Sequence, residues 1–304
     1  MTTPRAPYHE PVLLQECIEA LAIKPDGIYV DVTFGGGGHS RAILEQLGPN
    51  GALVAFDRDA DARRNAVHDP RFTLVASDFR WIANHLRFLG KVPVDGLLAD
   101  LGVSSHQFDT AERGFSFRFD APLDMRMDRA ARRTAADILN GSDEQALADL
   151  LYKYGEVAQG RKAARAIVTA RNQRGVRTTG ELVELLRPLA RRGEEHGFLA
   201  QVFQALRIAV NDELGALEHL LLATPDVIRP GGRLVVMSYH SLEDRLVKNW
   251  IKSGSLEGRE EKDAYGNSLR PFSPVGAKAV QASEAEMQGN PRARSARMRT
   301  ATRL

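Results

Sequence analysis

Four consecutive glycines, Gly35 to Gly38, separate a strand-like run from a helix-like one. The run before them, Ile28-Tyr29-Val30-Asp31-Val32-Thr33-Phe34, is rich in β-branched and aromatic residues and suits a buried strand. The run after them, Arg41 to Leu47, reads as a helix. Glycine allows a sharp turn and leaves no Cβ between the backbone and a ligand. A helix that starts there directs unpaired N–H groups back at the turn. A strand–glycine loop–helix unit is therefore a nucleotide-site candidate, and the plain alternative is a tight turn with no ligand.

A second strand, Ala52 to Phe56, ends in Asp57. An acid about 20 residues past the glycines, at the end of the second strand, is placed to accept hydrogen bonds from ribose hydroxyls. Asp57 could equally cap the helix expected after it. A Walker phosphate loop requires Gly-Lys-Ser/Thr, which this loop lacks. In the dinucleotide pattern G-x-G-x-x-G, Ser40 stands where the third glycine belongs, which weakens a reading as an NAD site. A glycine turn preceded by an acid, Asp31, suits S-adenosylmethionine at least as well. That ligand is cationic at its sulfonium and α-ammonium and carries no phosphate.

The rest of the chain continues an α/β rhythm and then breaks it. Val12–Leu21 reads as an amphipathic helix. Strands are expected at 27–34, 52–57, 71–76 and 94–101, the pattern of a mostly parallel sheet covered on both faces. From about 108 to 197 only helical patterns appear, at 134–139, 142–153, 160–173 and 179–191. Ser142-Asp143-Glu144-Gln145 resembles a capping box with Gln145 at its third helical position. A long helix or helix pair follows over 199–222, and the strand pattern returns at Gly231–Tyr239. The expected organisation is a core at 1–107, a helical insertion at 108–209 and the remainder of the core at 210–304. Segments 271–280 and 294–303 are expected to close the sheet as an antiparallel pair.

Ligands of such sheets bind beyond the carboxyl ends of the strands. That rule collects the glycine loop, Asp57, Ser77-Asp78-Phe79, Asp100 and Ser238-Tyr239-His240. Phe79 is a candidate to lie on a flat base, and Asp78 to accept from an adenine amino group. Ser241 and Asp244 fit a helix cap and its partner. His240 is either a structural histidine or a site residue.

The formal charge is only +2, but it is unevenly spread. The stretch from Pro291 to Leu304 carries Arg292, Arg294, Arg297, Arg299 and Arg303 and no acid. A second basic stretch runs through Arg161, Lys162, Arg165, Arg171, Arg174 and Arg177. Clusters of this kind suit a polyanion, or are simply solvated faces. Cys17 is the only cysteine, which excludes an internal disulfide and a cysteine-based metal site. No ligand spacing implies a metal. No apolar run approaches the ~18 residues of a membrane span, and the start lacks an apolar signal region. A cytoplasmic location is the expectation.

Ten blocks, in order, carry a resemblance. They are His9–Leu14, Lys24–Tyr29, the glycine loop with His39-Ser40, Asp57-Arg58-Asp59, Asp100–Ser105, Glu112–Phe117, Pro122–Met127, Phe203–Ile208, His240–Arg245 and Asn290–Ser295. Together they resemble the bacterial small-subunit rRNA (cytosine-N4)-methyltransferase family, RsmH (MraW), over nearly the whole chain. The resemblance implies a class I S-adenosylmethionine-dependent methyltransferase, Rossmann-like, with an inserted all-helical domain for substrate recognition. The implied reaction methylates the exocyclic amine of a cytidine in the decoding region of 16S rRNA. The implied cofactor contacts are Gly37, Gly38, His39, Asp57, Phe79, Asp100 and Gln107.

Asp100 and His240 are the candidates for work on the target amine, and Arg161, Arg165, Arg292, Arg294 and Arg297 for RNA contact. Two departures limit the carry-over. The family's His-Pro-Ala-Thr-Arg block is replaced here by Gly197-Phe198-Leu199-Ala200-Gln201, so that arginine's role does not transfer. The residues after Glu156 also differ. Many amine methyltransferases place Asp/Asn-Pro-Pro-aromatic after the fourth strand; this chain has Asp100-Leu101-Gly102-Val103. The competing classes are a DNA or other RNA amine methyltransferase, an NAD-dependent oxidoreductase, and a non-catalytic ribosome-assembly protein that binds RNA.

Overall fold

Largely apolar strands, buried on both faces at the centre, build one sheet. In the computed structural model, which describes residues 11–304, its strands are β1 (Ile28–Asp31), β2 (Ala52–Phe56), β3 (Phe72–Val75), β4 (Val94–Asp100), β5 (Ile228–Ser238), β6 (Phe272–Val280) and β7 (Arg297–Arg303). Of the matching blocks, His9 and Glu10 lie outside the described residues. The strand order is β3-β2-β1-β4-β5-β7-β6. The first five strands run parallel, and β7 pairs antiparallel with both β5 and β6. Every residue of β2 is buried, as are six of the seven in β4. Near-continuous apolar strands are what a sheet covered on both faces requires.

The two faces segregate with period two. Val30, Val54, Phe56, Leu97, Ala99, Leu234 and Val236 enter one apolar cluster. Tyr29, Leu53, Leu98, Val235 and Met237 enter the other. Helices α1 (Leu14–Leu21), α2 (Gly38–Gln46) and α3 (Ile82–Phe88) belong to this layer, as do the later helices α10 (Glu213–Val227), α11 (Ser241–Ser253) and α12 (Glu284–Gly289). The strand order reverses between β1 and β4. Crevices at such switch points, at the carboxyl ends, are where these sheets take ligands.

The chain divides into two compact units, Met1–Gly102 with Leu214–Leu304, and Val103–Glu213. The boundaries expected at 107/108 and 209/210 fall inside helices α4 (Ser105–Asp109) and α9 (Glu195–Asn211). The unit edges lie a few residues away, at Gly102/Val103 and at Glu213/Leu214. The second unit also holds α5 (Ala135–Gly141), α6 (Glu144–Gly155), α7 (Gly160–Arg171) and α8 (Thr179–Leu186) around its own core, which includes Leu139, Leu151, Ile167, Leu182, Val202 and Leu206. Among the described residues this unit has no strand beyond an isolated Pro122–Thr178 bridge.

One local expectation shifts and one alternative is decided. The cap of α6 is Asp143, which accepts from Ala146 N, because Ser142 is already the C-cap of α5. Over 199–222, where a long helix or a pair was expected, the structure has the pair, α9 and α10, broken at Asp212 in the left-handed region at φ 47°. Asn211 pins that break by donating to Met125 O and accepting from Met127 N. Among the described residues no helix is long and apolar enough to cross a membrane.

Candidate active site

The glycine loop is shaped by sterics that only glycine satisfies. Gly37 has φ +76°, and a Cβ there would lie 2.8 Å from the Phe34 ring. A Cβ on Gly38 would lie 2.2 Å from Pro11 Cγ. Gly37 is the N-cap of α2, and no side chain caps that helix. Its first N–H groups therefore remain open to a ligand. The loop's carbonyls are held from below. Arg41 donates to Gly36 O at 2.7 Å, and Asn65 donates to Gly35 O at 3.0 Å.

Three acids surround this loop. Asp31 is buried and accepts from Thr33 N and from Ser40 Oγ, at 3.1 and 2.6 Å. Ser40, the residue that breaks the dinucleotide pattern, thus fixes the acid at the end of β1. Asp57 accepts from Gly35 N at 2.8 Å through Oδ2 and from Asp59 N at 2.8 Å through Oδ1. It ties the end of β2 to the loop, and each oxygen keeps a further lone pair for a ligand. Asp100 takes the Tyr239 hydroxyl on Oδ1 at 2.7 Å, and His39 Nδ1 lies 3.8 Å from Oδ2. The other ring nitrogen of His39, which is buried, bonds Val12 O at 3.2 Å.

Burial pushes the carboxyls of both Asp57 and Asp100 up to about 6, against partial relief from backbone N–H groups at Asp57 and from His39 and Tyr239 at Asp100. A raised folded-state value means that these groups favour the empty fold most below about pH 4. That contribution is lost as pH climbs through about 6. Recognition of a cation needs the opposite, ionised state.

The remaining expected contacts are distributed. Phe79 follows β3, half-buried against the core. Asp78 does not present a free carboxylate: Oδ2 lies 3.1 Å from Arg58 and 3.3 Å from Arg80 Nε, and Oδ1 caps Arg80 N. Its expected role toward an amino group is thus filled by arginines. Gln107 belongs to the second unit. There Ser104 and Gln107 form a capping box at α4, with Ser104 N donating to Gln107 Oε1 at 3.2 Å.

The histidine at the end of β5 caps a helix. His240, not Ser241, is the N-cap of α11, with Nδ1 accepting from Glu243 N at 3.4 Å. Glu243 answers by accepting from Tyr239 N at 2.9 Å. The expected Ser241–Asp244 cap is therefore displaced by one residue, because an imidazole nitrogen can serve as the cap acceptor. Asp244 turns to the C-terminal strand and accepts two bonds from Arg299, at 2.6 and 3.0 Å. Replacing His240 by alanine is expected to cost about 0.5–2 kcal/mol of stability through the lost cap. Asparagine, which caps, should restore the melting temperature. A melting curve for each variant checks this.

Comparison with known proteins accords with the site. The model of the MraW methylase family matches residues 6–304. The chain belongs to the MraW methylase family. A relative from Parabacteroides distasonis, "Ribosomal RNA small subunit methyltransferase H", is 55% identical over 298 residues, covering 98% of both chains. One of the same name from Cytophaga hutchinsonii is 56% identical, covering 97% of this chain and 99% of that one. Membership makes the protein an S-adenosylmethionine-dependent methyltransferase of class I, and the sheet order and glycine loop are its fold.

The basic residues separate into structural and exposed sets. Arg299 is held by Asp244, and Arg303 donates to the carbonyls of Pro225 and Pro271. Arg171 donates to Leu139 O and Ser142 O. Arg292 is half-buried, while Arg294 is exposed. Arg297 stands opposite Ser238, so it lies at the carboxyl edge of β5, exposed and 3.5 Å from Asp244. In the second unit Arg161 is exposed, and Arg165 pairs at 3.4 Å with Glu144 on the surface.

Residues that sequence reasoning left without a role are Tyr239, Thr33, Arg41 and Asn65. Position next to the glycine loop or a strand end was the available signal. Their side-chain directions were not readable.

Proposed function

We propose that this protein methylates the N4 amine of a cytidine in the decoding region of 16S rRNA. The observation that carries the reading is the full-length family match on a chain whose strand ends gather Asp57, Asp100 and an uncapped glycine loop. The donor set suits S-adenosylmethionine. Gly37 and Gly38 permit close backbone approach, Asp57 accepts ribose hydroxyls, Phe79 lies against the base, and Asp100 and His39 flank the cationic end. The family resemblance adds Gln107 to this set. The cofactor supplies a methyl carbon activated by its sulfonium.

Cytosine N4 is a weak nucleophile because its lone pair is delocalised into the ring. The residues need only align the amine and accept its hydrogen bonds. Asp100 is the better acceptor of the two candidates. Nδ1 of His240 accepts from Glu243 N at the helix cap and Nε2 lies 3.2 Å from Glu243 Oε1, so both ring nitrogens face α11. His240 then acts on α11. The helical unit is the substrate-recognition domain, with Arg161 and Arg165 on its exposed surface. The partner is the rRNA or the small subunit, in the cytoplasm.

The direct test supplies labelled S-adenosylmethionine with small-subunit RNA and digests the product to nucleosides. Recovery of N4-methylcytidine is the expected result. Label resistant to ribonuclease and released by deoxyribonuclease would transfer the reading to DNA.

RNA contact by the C-terminal arginines has its own measurement. Each phosphate contact with a single strand contributes about 0.7 to the log–log salt slope. Replacing Arg294 and Arg297 together by Gln should flatten that slope by up to about 1.4 and leave cofactor affinity intact. Arg292 is left out because its guanidinium is partly buried. An unaltered slope would move the RNA footprint to Arg161 and Arg165.

A further inference from the structure

Tyr239 is fastened at three points. Its hydroxyl donates to Asp100 Oδ1 at 2.7 Å. Its backbone N donates to Glu243 Oε2 at 2.9 Å, next to the cap of α11. Its ring lies over Gly102, where a Cβ would come within 3.3 Å of Cδ2 while the backbone holds φ +100°. One residue at the end of β5 thus grips the carboxylate at the end of β4 and the turn just beyond it. The main chain of Asp100 is fixed independently, since its N donates to Thr33 Oγ1 at 2.6 Å, and Thr33 N donates to Asp31.

With backbone and Oδ1 held, the carboxylate's orientation is set, and Oδ2 and the second lone pair of Oδ1 are left for a ligand. We propose that Tyr239 is a positioning residue for the methyl-transfer site, holding Asp100 aligned and ionised toward the cationic end of S-adenosylmethionine. This rests on the reading of Asp100 as a cofactor contact.

The groups around Asp100 explain why a donor is needed there. His39 from α2 and the Tyr239 hydroxyl favour the charged carboxylate. Burial, Asp31 at the end of β1 and Glu243 on α11 oppose it. The thiol of Cys17 on α1, pushed up by burial and by Asp100 itself, stays neutral. Tyr239 also stays protonated, because burial and Asp100 raise its phenol well above the ordinary value. A neutral phenol can only donate to this carboxylate, and a hydrogen bond to a charged form stabilises that form. Removing the hydroxyl leaves His39 alone against the burial and the two acids.

The test is Tyr239→Phe, which keeps the ring over Gly102 and deletes one oxygen. S-adenosylmethionine binding is measured by calorimetry from pH 5.5 to 8.5 for the wild type, Tyr239→Phe and Asp100→Asn. The expected midpoint for the variant moves upward by about one unit, which is about a fivefold affinity loss at pH 6 that vanishes by pH 8.5. A merely structural role would lower the melting temperature and weaken binding equally at every pH, and that result overturns the proposal. So does a Tyr239→Phe profile that overlays the wild type while Asp100→Asn binds weakly; in that case Asp100 keeps its place and Tyr239 loses its own. Wild-type affinity in Asp100→Asn removes Asp100 from the cofactor site and the proposal with it.

Discussion

Asp57→Ala is expected to weaken S-adenosylmethionine binding roughly 10- to 150-fold, the range of a lost hydrogen bond to a charged group of about 1.5–3 kcal/mol. The structure adds a second route to the same loss. Asp57 also takes the Gly35 N–H, so its removal frees the loop that the cofactor must approach. Asp57→Asn separates the two, since an amide oxygen can still accept from Gly35 while the charge is gone. With the carboxyl raised to about 6, wild-type affinity should fall as pH drops through that value. Asp57→Asn should reduce that dependence without abolishing it, because Asp100 titrates in the same range. Calorimetry across pH measures both. Unchanged affinity in Asp57→Ala would remove the residue from the site.

Gly38→Ala is expected to be the most damaging single methyl group added to the site. Its Cβ would stand 2.2 Å from Pro11 Cγ, so close that the proline ring or the turn must shift. Overpacking of this kind costs about 1–3 kcal/mol. The displaced element is either the segment at Pro11 or the first turn of α2, and a shift of the turn moves the N–H groups offered to the ligand. The melting temperature should drop, and cofactor affinity should fall beyond what the drop explains. Gly48→Ala is the control, because its Cβ finds its nearest neighbour, Pro25 Cβ, at 3.3 Å beyond the opposite end of α2. Equal affinity for Gly38→Ala and wild type would show that the first turn does not touch the cofactor.

Much of this was legible because the signals were redundant. Each strand of the parallel sheet was a short, largely apolar run bounded by a turn and followed by a helical pattern, and the carboxyl-end rule then placed Asp57 and Asp100 without a structure. The antiparallel closure by β6 and β7 was likewise expected, at 271–280 and 294–303, from a stretch otherwise rich in charge, Gly and Pro. What failed was finer. Caps slipped by one residue at Asp143 and His240 because two adjacent residues could each begin the helix, each accepting from the N–H three residues on. Arginine clusters read as one surface proved divided, with Arg299 and Arg303 serving the fold and Arg294 left exposed. The Tyr239–Asp100 bond joins residues 139 positions apart, and no local pattern announces it.

The place of β7 has a consequence for how the protein is made. It is last of the strands in chain order, yet it lies inside the sheet between β5 and β6. A ribosome delivers β5 and β6 first, and neither is the other's partner. Until β7 emerges, β5 presents an open row of N–H and C=O groups along Arg233–Ser238, and unpaired rows of this kind recruit foreign strands. The second unit, by contrast, is complete in sequence before β5 is synthesised. Nascent chains should therefore pass through a stage in which the helical unit is folded and the catalytic sheet is still waiting for its interior member.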